Sequence, residues 1–259
     1  GTGRLREAAH MSGLANSDWT WTVRLSDFDN DGKVDVFFTN GMAVNLNRAD
    51  SPELSKVFPG ETEWDKHQRA KTGPLKEQNL AFKNLGKLKF EDVSKEWGLD
   101  HVGMSYASTA ADLDRDGDLE IITANLDEEV SIYQNNSTNE NKVLVELVGT
   151  LSNPNGIGST IRISAGKSKQ SRYVTLTRGY MSSGEAISHF GLGTEEKINE
   201  LSVQWPSGHV QSFKNIDANQ FYTITEPGKE TQSTPKPETK KLFTPLKSSL
   251  AGIKHKETL

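Results

Sequence analysis

The chain has 259 residues, of which 34% are hydrophobic, with 22 glycines, no cysteine and a formal net charge of −5. This length allows one or two domains, and the low apolar content with abundant glycine favours an all-β protein with many turns. No apolar run approaches the roughly 18 residues of a membrane-spanning helix, so membrane insertion is not expected. Residues 227–259 contain seven lysines and three glutamates, which leaves the rest of the chain at −9 and argues against nucleic-acid binding.

An acidic loop that leads directly into a strand is the first clear element in chain order, and it occurs twice. The sequence DFDNDGKVDVFF occupies residues 27–38, and DLDRDGDLEIIT occupies residues 112–123, at an offset of 85 residues. The same offset aligns residues 1–40 with residues 86–125 without a gap. Self-similarity at a fixed offset is typical of repeat architectures, so we predict two copies of one structural unit.

A second pair of matching segments follows the two copies at a different offset. NLAFKN at residues 79–84 resembles VSIYQN at residues 130–135, at an offset of 51 residues. The difference between the offsets implies an insertion in the first copy, at about residues 43–77. We expect this insertion to form a long polar loop, and we place the end of the repeat region at residue 138.

The spacing of acidic residues in both loops is that of a calcium site. Carboxylates stand at positions one, three, five and nine, and glycine at position six permits a sharp bend. The expected carboxylate ligands are Asp27, Asp29, Asp31 and Asp35 in loop 1 (residues 27–35), and Asp112, Asp114, Asp116 and Glu120 in loop 2 (residues 112–120). Position seven, Lys33 or Asp118, would contribute its main-chain carbonyl, which would leave its side chain free to vary. The sequence therefore predicts two Ca²⁺ sites.

Two other interpretations of these loops are weaker. An EF-hand would carry glutamate at position twelve between two helices, whereas Phe38 and Thr123 stand there and β-forming residues follow. A turn that uses aspartate only to cap its backbone would need one or two such residues, not four that repel one another.

The second half of the chain, residues 139–226, is predicted to be a separate small β-domain. Apolar alternation and turn signals indicate strands at residues 142–149, 159–165, 171–178, 198–205, 210–215 and 221–225. Trp205 stands at a strand end before a proline and is expected in the core. Residues 227–259 are rich in proline, threonine and lysine at their start and are expected to form an extended linker that leads into a further region.

Several polar and aromatic residues suggest a more specific role, either in catalysis or in sugar binding. Ser182, Ser183, Glu185 and His189 suggest a hydrolase, but GYMSSGE lacks the nucleophile-elbow pattern, so a turn is the preferred interpretation and no catalytic residue is assigned. Trp19, Trp21 and Tyr106 precede the acidic loops. Because Trp21 and Tyr106 are equivalent in the two copies, packing between the repeats is preferred over a sugar-stacking platform.

Two resemblances follow from these motifs. LSDFDNDGKVDVFFTNG and AADLDRDGDLEIITANL resemble FG-GAP/VCBS repeats, the calcium-loop blades of integrin-α-type β-propellers. NPNGIGSTIRI, GYMSSGEAISHFGLG, LSVQWPSG and NIDANQFYTI, in that order, resemble the ASPIC/UnbV domain. This layout is similar to that of the cartilage acidic protein family and its bacterial relatives. It implies an all-β protein in which two propeller blades, too few to close a ring, precede a small β-sandwich or barrel-like domain.

The resemblance implies function less specifically than fold. It implies a non-catalytic, calcium-binding module outside the cell, at the cell surface or in the periplasm, that serves adhesion or recognition of a protein or glycan ligand. A carbohydrate-binding or carbohydrate-processing accessory protein is the alternative. An incomplete propeller also exposes a blade, so self-association of the fragment is expected unless the insertion covers that face.

Overall fold

Strands make up most of the computed structural model, which describes residues 7–43, 74–137 and 140–228. Within these ranges there is one short helix, α1 (Ala9–Ser12). The strands are β1 (Thr20–Ser26), β2 (Asp35–Asn40), β3 (Glu77–Gln78), β4 (Leu80–Gly86), β5 (Lys89–Asp92), β6 (Val102–Gly103), β7 (Ser105–Ala111), β8 (Glu120–Asn125), β9 (Ser131–Tyr133), β10 (Asn141–Val148), β11 (Thr160–Ala165), β12 (Ser168–Tyr173), β13 (Ile187–Gly193), β14 (Lys197–Gln204), β15 (Val210–Asp217) and β16 (Gln220–Thr225). The predicted all-β fold class is confirmed.

The first part of the chain forms two larger antiparallel sheets with equivalent first strands, and a small two-stranded sheet of β3 and β6. The first sheet has the order β1-β2-β4-β5 and the second has the order β7-β8-β9. The bounds of β7 and β8 are those of β1 and β2 shifted by the 85 residues seen in the sequence. Each pair of strands carries a register shift near its far end. A four-stranded antiparallel sheet in sequential order is also the form of a propeller blade.

Each acidic loop is the connection of a β-hairpin. Ser26 pairs with Asp35 across the first hairpin, and Ala111 pairs with Glu120 across the second. The acid at position nine is therefore the first residue of the returning strand. The strand predicted to follow each loop is confirmed. This register directs the carboxylate of position nine back toward the loop that precedes it.

The two repeats pack directly against each other. Phe28 and Phe37 of the first repeat share one buried apolar cluster with Leu99 and Ile121. The rings of Trp21 and Tyr106 lie 4.5 Å apart, and Trp21 also contacts Tyr180 at 4.8 Å. Trp21 and Tyr106 thus pack between the repeats, which was the preferred interpretation.

The second part of the chain is a sandwich of two sheets with one shared core. The sheets have the orders β13-β10-β16 and β12-β11-β14-β15. Apolar side chains from both fill the space between them, among them Val143, Phe190, Ile161 and Leu201, all of which are 0% exposed. Trp205 belongs to the same core at 2% exposure, as predicted.

Two expectations for this sandwich were wrong in detail. The strand expected at residues 171–178 lies at Ser168–Tyr173, and Ile187–Gly193 forms a strand that was not predicted. Ser188 and His189 interrupt the apolar run of the latter strand, yet both are buried, at 8% and 7% exposure. The pattern concealed this strand because its polar residues face protein rather than solvent.

The described residues of both halves, up to Glu226, belong to one compact unit. The insertion expected at residues 43–77 lies largely outside the described residues, as does the linker expected at residues 227–259. Among the described residues, no helix has the length and apolar character that crossing a bilayer requires.

Candidate metal centre

Both acidic loops bring three carboxylates together. In loop 1, oxygens of Asp27, Asp29 and Asp35 lie within 4.8 Å of one another, and in loop 2 the same holds for Asp112, Asp114 and Glu120. These are positions one, three and nine of the predicted sites. Oxygen atoms at such separations could hold a metal ion.

The backbone of each loop folds around the acid at position one. Gly32 donates its N–H to Asp27 Oδ2 at 2.9 Å, and Gly117 donates its N–H to Asp112 Oδ2 at 3.2 Å. Both glycines have positive φ angles, 85° and 94°, which L-residues with side chains rarely adopt. The glycine at position six is therefore required by backbone conformation, as its place in the sequence suggested.

In each loop, the acid at position nine accepts a hydrogen bond from a backbone N–H of the same loop. Phe28 N–H donates to Asp35 Oδ2 at 3.0 Å, and Leu113 N–H donates to Glu120 Oε2 at 2.7 Å. Asp35 and Glu120 occupy equivalent positions although their side chains differ by one methylene group. The longer side chain of Glu120 is thus accommodated without losing the contact.

Two asparagines complete the loops, and sequence reasoning did not assign them a role. Asn84 N–H donates to Asp35 Oδ1 at 2.8 Å, and Asn135 N–H donates to Glu120 Oε1 at 3.3 Å. Their side-chain amides donate to the carbonyls before the position-nine acids, at Val34 and Leu119. The signal was available, because both asparagines close the segments that match at an offset of 51 residues.

Burial sets the charge state of the two clusters. Asp27 and Asp35 are 1% and 0% exposed. Burial, with repulsion from neighbouring acids of the loop, raises the pKa of Asp27 to about 8. Burial also raises the pKa of Asp35 to about 7, although two backbone N–H donors oppose the shift. In loop 2, burial raises the pKa values of Asp112 and Glu120 in the same direction.

In each cluster, the acid at position one has a carboxylate oxygen that is buried without a hydrogen-bond partner among the described residues. These atoms are Asp27 Oδ1 and Asp112 Oδ1, both at position one of their loops. A buried polar atom that lacks a partner is costly, by about 1–3 kcal/mol. A metal ion at this place would give both oxygens a ligand role.

The acids at position five lie outside the two clusters. Asp31 forms an ion pair with Lys33 at 2.6 Å. Its Oδ1 accepts the Lys33 N–H at 2.9 Å, and Asp116 Oδ1 accepts the Asp118 N–H at 2.8 Å. The structure thus uses Asp31 and Asp116 to stabilise the turn. Their role as ligands, and that of the Lys33 and Asp118 carbonyls, stays a prediction.

The side chain of Asp118, at position seven of loop 2, has partners that the sequence did not predict. It is 0% exposed, accepts a hydrogen bond from Asn30 Nδ2 of loop 1 at 2.7 Å, and forms an ion pair with Lys142 of β10. Lys33 at the equivalent place is more exposed. Position seven varies between the loops because only loop 2 has these two partners, which are remote in sequence.

The sandwich packs closely on loop 1. Gly193 N–H donates to the carbonyl of Asn30 at 2.8 Å. A Cβ atom at Gly191 would overlap Asp27 Oδ2 and lie 2.6 Å from the backbone of Asn30. Strand β13 therefore approaches the loop at a distance that only glycine permits, and this contact buries Asp27.

The residues that suggested a hydrolase do not form a catalytic arrangement. Ser182 Oγ donates to the Tyr180 carbonyl at 2.6 Å and accepts the Ser108 N–H at 3.0 Å, while Ser183 Oγ donates to the Leu176 carbonyl at 3.3 Å. Burial lowers the pKa of His189 to about 3. Neither serine forms a hydrogen bond to His189 among the contacts of the described residues, so both hydroxyls act within a turn.

Comparison with known proteins matches the second part of the chain to a family. Residues 149–231 match the family described as ASPIC and UnbV. Cartilage acidic protein 1 of Homo sapiens is 24% identical over 209 residues, which cover 79% of this chain and 27% of the human protein. Cartilage acidic protein 1 of Mus musculus is 23% identical over 209 residues, which cover 79% of this chain and 28% of the mouse protein. The chain thus spans about a quarter of the length of these relatives. It is similar to ASPIC and UnbV proteins over residues 149–231 and, more weakly, to cartilage acidic protein 1 over most of its length.

Proposed function

We propose that loop 1 and loop 2 each bind one Ca²⁺ ion and that the chain is a calcium-stabilised, non-catalytic recognition module that acts outside the cell. The observation that carries this proposal is the duplication of a buried three-carboxylate cluster in two hairpins with the same backbone hydrogen bonds. A turn that needed aspartate only for capping would not bury unpaired carboxylate oxygens at the same position twice.

The donor set favours calcium over other metals. Each cluster offers only carboxylate oxygens, which suit hard cations, whereas zinc sites in proteins are usually built from cysteine and histidine. The loops would supply further oxygens from the carbonyls of Lys33 and Asp118. A flexible set of several oxygens suits Ca²⁺, while Mg²⁺ demands near-ideal octahedral geometry.

The lysines at the loops are consistent with sites that attract cations. Lys83 Nζ lies 2.5 Å from Asp29 Oδ2, and Lys142 forms an ion pair with Asp118. Through this contact Lys83 compensates part of the charge of loop 1 when no metal is bound. Its side chain is 34% exposed, so it can move away from Asp29 at low cost when a metal binds.

The extracellular setting and the recognition role rest on similarity and on calcium chemistry. Modules with weak calcium sites fill at the millimolar calcium concentrations found outside cells. The ligand we propose is a protein or glycan at the cell surface. A glycan array, probed with and without chelator, distinguishes the two, since the carbohydrate-binding alternative requires calcium-dependent capture of a defined sugar.

Calorimetric titration of metal-stripped protein with Ca²⁺ tests the proposal. We expect about two sites in the unaltered protein and about one in Asp27→Asn and in Asp112→Asn, since each variant removes a buried ligand from one loop. Asp217→Asn is the matched control, because Asp217 is an exposed acid whose partner is Lys197. Folded protein that takes up no Ca²⁺ would contradict the proposal, as would two unchanged sites in both loop variants.

A further inference from the structure

Three arginines line one small cavity at the junction of the repeats and the sandwich. Arg24 reaches it from β1, Arg172 from β12 and Arg178 from the segment between β12 and β13. The cavity has a volume of about 80 Å³. We call it the arginine cavity, after these three residues.

Arg24 is the most deeply buried of the three. Its side chain is 3% exposed, and its Nη2 donates a hydrogen bond to the carbonyl of Ser108 at 2.7 Å. Its Nε has no hydrogen-bond partner among the described residues. Burial, and then repulsion from Arg178, lowers the pKa of Arg24 to about 10, which still leaves it charged at neutral pH.

The other two arginines are also bonded to neutral acceptors. Arg172 donates from Nε to the His189 carbonyl at 3.2 Å and lies over the Phe190 ring at 5.1 Å. Arg178 donates to the Tyr173 carbonyl at 2.7 Å. In the described part of the chain, none of the three arginines forms an ion pair with a carboxylate within 4.0 Å. Carbonyl oxygens satisfy some of their N–H groups but bring no full negative charge, and Asp27 acts on Arg172 only through space.

The two acidic residues at the cavity wall are engaged elsewhere. Asp27 belongs to loop 1, where its Oδ2 accepts the Gly32 N–H. Glu185 accepts the Asp112 N–H at 3.3 Å and lies 3.7 Å from Arg115. A buried cation without a compensating charge is expensive, so Arg24, with two further arginines at the same cavity, calls for an external anion.

We propose that the arginine cavity binds one small oxyanion of the phosphate or sulfate class. Guanidinium groups present planar forks of N–H donors that match the oxygens of such anions. The limited volume favours a single ion or the terminal group of a larger molecule over a whole sugar or peptide. The three arginines belong to neither acidic loop, although Asp27 of loop 1 lies at the cavity wall.

Isothermal titration of inorganic phosphate and of sulfate into the full chain, against chloride at the same ionic strength, tests the site. We expect one saturable site in the unaltered protein and at least tenfold weaker binding in Arg178→Gln. Arg178 is the suitable variant because its side chain is exposed, so its loss does not threaten the fold. Arg162→Gln is the matched control, since Arg162 is an exposed arginine of β11 that bonds to Gln204.

Equal binding by Arg178→Gln and Arg162→Gln, or the absence of a saturable site in the unaltered protein, would overturn the proposal. Methyl phosphate separates the two sources of the oxyanion. If it binds as tightly as inorganic phosphate, the cavity accepts an oxyanion carried on a larger molecule. If only the inorganic ions bind, the cavity holds a free ion.

Discussion

Asp27 of loop 1 and Glu226 at the end of the sandwich are equally buried carboxylates in opposite surroundings. Each is 1% exposed. Glu226 accepts backbone N–H groups of Leu151 and Ser152 at 2.8 and 2.7 Å and the hydroxyl of Ser207 at 2.5 Å. Burial opposes its ionisation, but these donors prevail and lower the pKa of Glu226 to about 2.

Asp27 has no such set of donors. It accepts one backbone N–H, from Gly32, and its other oxygen is unpaired, while Asp29 and Asp35 lie beside it. Burial, with repulsion from the neighbouring acids of the loop, therefore raises its pKa to about 8. The comparison teaches that burial alone does not decide the charge state of a carboxylate. Backbone N–H and hydroxyl donors stabilise the charge of Glu226. Loop 1 offers Asp27 a single such donor, and we propose that Ca²⁺ supplies the missing stabilisation.

Removal of calcium should give the largest effect and would break the comparison if it gave none. A ligand that binds only the folded state adds about 2.7 kcal/mol per site at a hundredfold excess over its Kd. Two filled sites would then supply several kcal/mol, and a chelator should lower the melting temperature by several degrees or more. Thermal unfolding followed by circular dichroism measures this. Asp217→Asn should show the same chelator effect as the unaltered protein, and Asp27→Asn about half of it.

Glu226→Gln should give a smaller effect that calcium does not alter. The substitution keeps the size of the side chain but removes the charge that its donors stabilise, so we expect a loss of about 1–3 kcal/mol in the free energy of unfolding. Because the folded pKa of Glu226 lies below its unfolded value, its contribution is present above about pH 4.5 and is lost as pH falls toward 2. Urea unfolding in calcium and in chelator checks both points. A loss that differed between these two conditions would mean that Glu226 and the loops are coupled.

The pH dependence of the metal-free protein should give the smallest change in the free energy of unfolding, counted per pH unit, and would sharpen the comparison. Asp27 and Asp35 have folded pKa values of about 8 and 7, above the unfolded value of 3.8, so the folded state holds more protons between about pH 4 and 8. The free energy of unfolding should therefore fall as pH rises through this window, by at most about 1.4 kcal/mol per pH unit for each group. Urea unfolding in chelator at several pH values measures the slope. Asp27→Asn should flatten it, and a slope of opposite sign would contradict the electrostatic account of loop 1.

The acidic clusters could be predicted from sequence because their residues are local. Asp27, Asp29 and Asp35 lie within nine consecutive residues, and a second copy with the same spacing excluded coincidence. The strand that follows each loop was predicted from the same pattern. A short loop with a defined turn leaves few ways to arrange its side chains.

Contacts between remote segments could not be predicted in this way. Asn84 caps an acid 49 residues before it, and the donors to Glu226 include backbone groups 74 to 76 residues away. Strand β13 was missed because Ser188 and His189 look solvent-facing until the repeats cover them. Arg24 gave no signal, since one arginine in a strand is ordinary until two others meet it in space.

A diffraction experiment on crystals grown with Ca²⁺ tests the central claim most directly, because it locates the ion itself. The account predicts two peaks in the anomalous difference map, one beside Asp27, Asp29 and Asp35 and one beside Asp112, Asp114 and Glu120. Each ion should have about six to eight oxygen ligands at roughly 2.3–2.6 Å. Density for Lys83 and Lys142 against the acids, with no anomalous peak in either loop at millimolar Ca²⁺, would contradict it.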